Sequence, residues 1–361
     1  MSGDLGAEVV VRAAAASLDK HAGLELILVG DENELRGLVT RIIGDDKRLG
    51  IVHASEVVAM CDSPRDAVRH KKDSSMRVAI DLVKSGEAQA CVSAGNTGAL
   101  MATAKFVLKM LPGIERPAIL AELPAIGGSL HMLDLGANTL GTAEQLFQFA
   151  VMGSIVTADI LGIAEPRVAL LNIGAEDTKG HDTVKDAASL LNESSLNYVG
   201  FVEGSELFSG KADVVVTDGF TGNVALKTME GTVGLVRHYV KRGFTRSWFA
   251  RLQALLAGPT LRRIAGETDS RNFNGATLVG LNGIVIKSHG SADSYAFQHA
   301  IDTAIVEVRN GVPQQIGNLL QREAAGCIGK SSGSTGRRWQ YDLLQDCRDR
   351  SLPAGKNSYE L

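Results

Sequence analysis

The stretch QACVSAGNTGALMA, residues 89–102, changes its periodicity halfway along. An apolar run through Cys91 and Val92 ends in the polar turn from Ser93 to Gly98, and helical spacing then continues from Thr97 to Lys109. The pattern predicts a buried strand, a tight turn and a helix. Similar short apolar runs, each closed by Gly, Asn, Asp or Ser, recur at 24–30, 131–136, 167–174, 213–219 and 282–290. Helical spacing fills residues 144–157 and 223–239 between them. This rhythm predicts an α/β fold with a mostly parallel sheet flanked by helices. Ligands of such sheets sit at the carboxyl ends of the strands, which is where these polar turns fall.

Composition narrows the class further. The chain has 361 residues, 45% of them hydrophobic and 22% charged, enough for one large domain or two smaller ones. Forty glycines and only 5% aromatic residues fit close helix-on-sheet layers joined by glycine-rich turns. A net charge of -4 excludes wrapping of nucleic acid by bulk charge. Cys61, Cys91, Cys327 and Cys347 have neither CxxC nor Cys/His ligand spacing, so no disulfide framework and no metal site is expected. Without a long apolar run or a signal-peptide pattern, the expected location is the cytoplasm. A single α/β domain is expected over residues 1–322, followed by a flexible tail over 323–361 that includes GKSSGSTGRR at 329–338.

The polar turns hold the candidate chemistry. Ser93, Asn96, Thr97 and Gly98 offer hydroxyls, an amide and backbone N–H groups at a helix N-terminus, an arrangement that cradles anions. The same residues also describe a capped turn with no ligand. No Gly-Lys-Ser/Thr follows, so this is not a Walker A loop, and it is not a GxGxxG dinucleotide fingerprint. Asp218, Thr221 and Asn223 repeat the arrangement after the run DVVV. Lys179 stands in a third turn, and Lys287, Ser288 and His289 close the last strand. Cations, amides and N–H donors with few nucleophiles suit phosphate binding and stabilisation of a carbonyl oxyanion. Cys91 lies inside an apolar strand and reads as an inert thiol, and His289 as either an acid–base group or a wall residue.

Residues 231–266 contain Arg237, Lys241, Arg242, Arg246, Arg251, Arg262 and Arg263 and no acidic residue. Inside this span Trp248, Phe249, Leu252, Leu255 and Leu256 form one apolar helical stripe, with Pro259 expected to stop the helix. The stripe fits burial against a partner subunit and equally a helix lying on an anionic membrane surface.

The segments SAGNTGALMA (93–102), IERPAI (114–119), LDLGAN (133–138), LNIGAEDTKG (171–180), TDGFTGNVALKTMEG (217–231) and LNGIVIKSHGSAD (281–293) occur in an order and spacing that closely resemble the PlsX family, the bacterial phosphate acyltransferases of phospholipid synthesis. The resemblance spans roughly residues 1–320. It implies an isocitrate/isopropylmalate dehydrogenase-like or phosphotransacetylase-like fold and a homodimer without a cofactor. It also implies transfer of a fatty acyl group from acyl carrier protein to inorganic phosphate. The acyl-phosphate would pass to a membrane glycerol-3-phosphate acyltransferase, with this chain held peripherally at the membrane. On that chemistry Lys179 and Asn223 would contact the reacting phosphate or oxyanion, and Ser93, Asn96, Thr97 and Gly98 would hold phosphate or polarise the carbonyl. Asp218, Thr221, Lys287, Ser288 and His289 would complete the pocket.

Three features depart from the family pattern. The opening Met1-Ser-Gly-Asp4 looks like the family's first turn without the hydrophobic strand before it, so a first strand is expected to be missing from the sheet. Residues 139–142 differ from the usual polar segment, and the sequence from Glu323 onward has no counterpart. Two alternative functions stay open: a phosphate transacylase that uses coenzyme A, and a non-catalytic membrane-associated scaffold. Lys71, Lys72 and Arg77, in a basic run that begins a helix, are candidate docking points for an acidic carrier.

Overall fold

The computed structural model describes residues 3–328, apart from 177 and 268. The first part of the chain runs α1 (Ala7–Lys20), β1 (Leu26–Gly30), α2 (Glu32–Ile42), β2 (Leu49–His53), α3 (Pro64–His70), α4 (Ser75–Ser85), β3 (Ala90–Ser93) and α5 (Thr97–Leu108). The middle adds β4 (Ala118–Ala125), β5 (Gly128–Leu133), α6 (Ala143–Leu161), β6 (Val168–Asn172), α7 (Asp182–Glu193), β7 (Tyr198–Glu203) and β8 (Val214–Val216). The last part is α8 (Gly219–Thr245), α9 (Trp248–Glu267), β9 (Ala276–Val279), β10 (Ile284–Lys287), α10 (Ser294–Asn310) and α11 (Val312–Ile328). All six apolar runs of the sequence are strands. Helix α11 extends past residue 322 to Ile328, and the rest of the expected tail lies outside the described residues.

An eight-stranded sheet has the order β3-β10-β9-β4-β5-β8-β6-β7, and β1 and β2 form a separate parallel pair. Four of its seven pairings are parallel: β3 with β10, and β5, β8, β6 and β7 in succession. The remaining three, through β9 and β4, are antiparallel. The chain direction therefore reverses across the centre, and two parallel sets of strands point opposite ways along the sheet.

Helix α6 fixes the middle of the molecule. A capping box between Thr142 and Gln145 starts it, and Gly162 ends it in the left-handed conformation. Phe149 and Met152 are fully buried against strands β5 and β8 and helices α7 and α11. Each such side chain stabilises the fold by about 1.5–3 kcal/mol relative to exposure.

Strands β1 and β3 each leave one edge unpaired among the described residues. Between them lies a cavity of about 560 Å³, walled by Leu26–Val29, Ala90–Ala94, Ala14, Met76, Phe297 and Ile301. Asp4 N–H donates to the carbonyl of Gly290 at 2.8 Å, so the Gly3–Asp4 turn sits at the carboxyl end of β10, beside β3. The Gly3–Asp4 turn and the free edge of β3 both border this slot. Two strand edges covered by helices on both faces accept a further parallel strand without exposing backbone.

Extending the full chain ahead of Gly3 by five apolar, β-branched residues is expected to raise Tm by about 5 °C. The same extension should slow amide exchange across Ala90–Ser93. Unaltered exchange there would show that the slot does not take a strand.

Candidate active site

The first group of predicted residues gathers at the carboxyl ends of β3 and β10. Ser93 and Lys287 are register partners on these strands, and Ser288 N–H donates to the Ser93 carbonyl at 2.9 Å. Asn96 caps α5, accepting from Ala99 N–H at 3.0 Å. Its amide nitrogen donates to the carbonyls of Met60 and Asp62, so Asn96 ties the helix start to a neighbouring loop and has little left for a ligand. The first two N–H groups of α5, on Thr97 and Gly98, make no hydrogen bond among the described residues. A further side chain at Gly98 would press on Pro64, so glycine lets α3 approach this turn closely.

Lys287 is buried, and loss of hydration pushes its ammonium down to about 8, with Asp4 opposing the shift. Its Nζ donates to the Ser288 carbonyl. The fully buried Ser288 hydroxyl accepts from Asn274 at 2.8 Å, and Asn274 Oδ1 accepts from His289 N–H at 2.9 Å. His289 itself is exposed, its ring Nδ1 paired with Ser291 at 2.8 Å. Cys91, just below, is buried, and desolvation pushes its thiol up to about 12. It is a protonated core residue and not a nucleophile.

The second group stands at the carboxyl ends of β5, β8 and β6. Asp218 caps α8, accepting from the Thr221 backbone at 2.9 Å and the Thr221 hydroxyl at 2.8 Å, so these two side chains satisfy one another. Asn223, one turn on, is exposed and its amide makes no hydrogen bond among the described residues. It lies against Gly136 of the loop after β5, where φ is 122°. That loop wraps the carboxylate of Asp134, which is 0% exposed. Asp134 accepts from the N–H groups of Ile119 (3.0 Å), Gly136 (3.2 Å), Ala137 (2.9 Å) and Asn138 (2.7 Å), and from the Asn138 amide (2.9 Å). Burial pushes its carboxyl up and the hydrogen bonds oppose this. All five partners are donors, which is the pattern that binds the ionised form.

Lys179 stands half-exposed on the loop after β6, 2.9 Å from Glu176, whose carboxylate holds its ammonium above the ordinary lysine range. The carboxyl end of β6 lies beside that of β8, so Lys179 belongs to the second group. Among the described residues no hydrogen bond or ion pair joins the two groups. The signals that sequence reading left unassigned are Asp134 and Asn138, quoted only as part of LDLGAN, and Asn274, whose surroundings carry no pattern at all.

Helices α8 and α9 leave the body as a pair. Only Gly219 and Gly222 of α8 are buried, and Val233, Val236 and Tyr239 are exposed. The stripe is exposed too, with Trp248 at 78%, Leu255 at 75% and Leu256 at 77%, and Phe249 and Leu252 beside them. Pro259 does not stop the helix as expected; it lies inside α9, which runs to Glu267. Proline removes one backbone bond there, and on so exposed a helix water can satisfy the freed carbonyl of Leu255. No described helix is long and apolar enough to cross a membrane.

Comparison with known proteins fits this geometry. Residues 1–315 match the family described as Fatty acid synthesis protein. The chain belongs to this family. A phosphate acyltransferase of Alkalilimnicola ehrlichii is 58% identical over 322 residues, covering 89% of this chain and 94% of that protein. One from Methylococcus capsulatus is 55% identical over 323 residues, covering 89% and 95%. Among solved structures, a phosphotransacetylase from Streptococcus pyogenes superposes with a TM-score of 0.56 at 23% identity, covering 84% of this chain and 92% of that one. At that identity the likeness shows the fold alone, and it supports the α/β architecture of the family.

Two tests follow from the site. A methyl group at Gly222 would overlap the carbonyl oxygen of Asp134. Gly222→Ala should therefore cost at least about 2 kcal/mol and lower Tm by about 3 °C or more. Sulfate, whose charge is constant above neutral pH, should raise Tm by binding near Lys287, and this gain should fade as pH climbs through about 8. Lys287→Arg should keep the gain to higher pH; an identical profile in both proteins would show that Lys287 does not bind the anion.

Proposed function

We propose that this chain transfers a fatty acyl group from the thioester of acyl carrier protein to inorganic phosphate, giving an acyl-phosphate for phospholipid synthesis. The observation that carries the reading is a cluster of anion-binding groups whose neighbouring thiol is unavailable as a nucleophile. Ser93, Lys287 and the unpaired N–H groups of Thr97 and Gly98 converge at two strand ends, and the nearby thiol of Cys91 is buried and protonated. The name phosphate acyltransferase carried by relatives above half identity supports the same reading.

On this reading phosphate is itself the nucleophile. Its oxygen attacks the carbonyl carbon, a tetrahedral oxyanion forms, and the carbon–sulfur bond breaks as the carrier thiolate leaves and takes a proton. The protein orients the anion and stabilises the oxyanion, tasks for fixed dipoles and cations. Ser93, Thr97, Gly98 and Lys287 hold phosphate, and Ser288 and His289 support the seat. Asn223 and Lys179 are assigned to the oxyanion, which requires the second group to be brought up to the first, and Asp218 and Thr221 fix the helix start that presents Asn223. Glu176 holds the Lys179 ammonium above the ordinary lysine range.

The exposed pair α8 and α9 supplies the remaining contacts. A second copy of the chain covers the apolar face of α8, and the Trp248 stripe with its basic surround lies on an anionic membrane. This would leave the product beside a membrane glycerol-3-phosphate acyltransferase.

The direct assay is phosphate-dependent release of carrier thiol from long-chain acyl carrier protein. Lys179→Ala and Asn223→Ala should each lower kcat/KM by about a hundredfold with Tm unchanged, since an exposed ion pair adds little stability. Full turnover in both variants would sink their assignment, and turnover confined to coenzyme A thioesters would favour a soluble transacylase. For the membrane, Trp248→Glu with Leu252→Glu should release the protein from anionic vesicles and spare solution turnover. Loss of the dimer in that variant would identify the stripe as a subunit interface.

A further inference from the structure

Helices α3 and α5 enclose an open groove of about 550 Å³, with Phe106 and Met110 on its floor and Arg65, Arg69, Lys105 and Lys109 around it. The four cations are exposed and form no ion pair or hydrogen bond through their side chains among the described residues. Of the carboxylates on these helices and the loop before them, Asp62 is paired with Lys71 at 2.5 Å and Asp81 with Arg77 at 2.9 Å, while Asp66, hydrogen-bonded to Ser63 at 2.7 Å, keeps its charge and offsets only part of the four cations. Phe106 is 53% exposed, with Lys109 Nζ 4.9 Å and Arg77 Cζ 5.5 Å from its ring centre. A large apolar side chain ringed by an excess of positive charge is built for a partner that is acidic and carries an apolar spot.

The groove is also connected to the anion seat. Pro64, at the start of α3, packs on Gly98, and α5 begins at Thr97 in the seat. At a rise of about 1.5 Å per residue, Lys105 lies roughly 12 Å further along the helix and Lys109 just past its end. A protein seated there must present its acyl thioester on an extended tether of about that length.

We infer that this groove docks the acyl carrier through an acidic surface with an apolar spot, with Phe106 as the apolar anchor and Arg65, Arg69, Lys105 and Lys109 as the charges that orient it. The inference rests on the carrier-thioester reading above. It moves the docking surface from the expected Lys71, Lys72 and Arg77 to the groove beside them, because Lys71 and Arg77 are occupied within the chain.

The test compares two substrates carrying the same acyl chain, one on acyl carrier protein and one on free pantetheine. Lys105→Glu with Lys109→Glu should raise KM for the carrier substrate at least tenfold, with kcat little altered. The same variant should process the pantetheine thioester like the unaltered protein, which also shows that it is folded. Arg65→Glu with Arg69→Glu, on the other helix, should do the same, and each pair should flatten the salt dependence of KM. An unchanged KM for the carrier in both double variants, while the unaltered protein turns it over, would overturn the groove and leave the carrier reading standing. No turnover of the carrier substrate by the unaltered protein, with turnover of the pantetheine thioester, would overturn both.

Discussion

The carboxylate of Asp134 is out of contact with water and holds five N–H donors, and the second half of the site is arranged around it. Its bond to Ile119 ties the loop after β5 back to β4. Asn138, held by the same carboxylate, reaches on to the Pro117 carbonyl at 2.7 Å. The backbone turn so formed leaves room only for glycine at positions 219 and 222, and α8 starts there. A buried charge of this kind is costly unless fully hydrogen-bonded, and its loss would strand several donors at once. The direction of α8, the place of Asn223 and the departure of the α8–α9 pair therefore all depend on one side chain.

The first half of the site uses a different device. Ser93 and Lys287 meet because β3 and β10 pair in parallel, so backbone register sets their spacing without any polar hub. Lysine pays for its burial in basicity, and the shift to about 8 makes it a cation that ordinary pH can adjust. Lys179 has the opposite setting, exposed and raised by Glu176. The two lysines thus respond differently to pH although both were singled out for the same chemistry.

Much of the fold was legible in the sequence because the six predicted strands are apolar runs closed by a polar turn. Of the four that escaped, β4 contains Pro124, β7 is interrupted by Gly200 and β2 has no fully buried residue, whereas β9, an apolar run closed by Gly280, carries the same mark and was missed. Two of them, β4 and β9, carry the antiparallel centre, so the reversal between the parallel sets was invisible too. Sequence placed every candidate residue on a turn at a strand end. It did not separate Asn96, spent on capping, from Thr97 and Gly98, whose N–H groups are unspent, because that distinction needs the partners at Met60 and Asp62. Pro259 misled because α9 accommodates it, and on so exposed a helix water can satisfy the carbonyl that it frees.

Net charge misleads in the same way. The chain totals -4, which argues against anionic partners when taken as one number. At a Debye length of about 8 Å in physiological salt, however, a partner senses only the charges in its immediate reach. The α3–α5 groove and the stretch from Gly231 to Gly266 are each local excesses of positive charge beside exposed aromatic side chains, and they lie on different helices. Acidic residues elsewhere, several of them already paired with arginine or lysine, set the total without cancelling either patch. Two such patches in an acidic whole each present local attraction to an anionic surface that the total charge conceals.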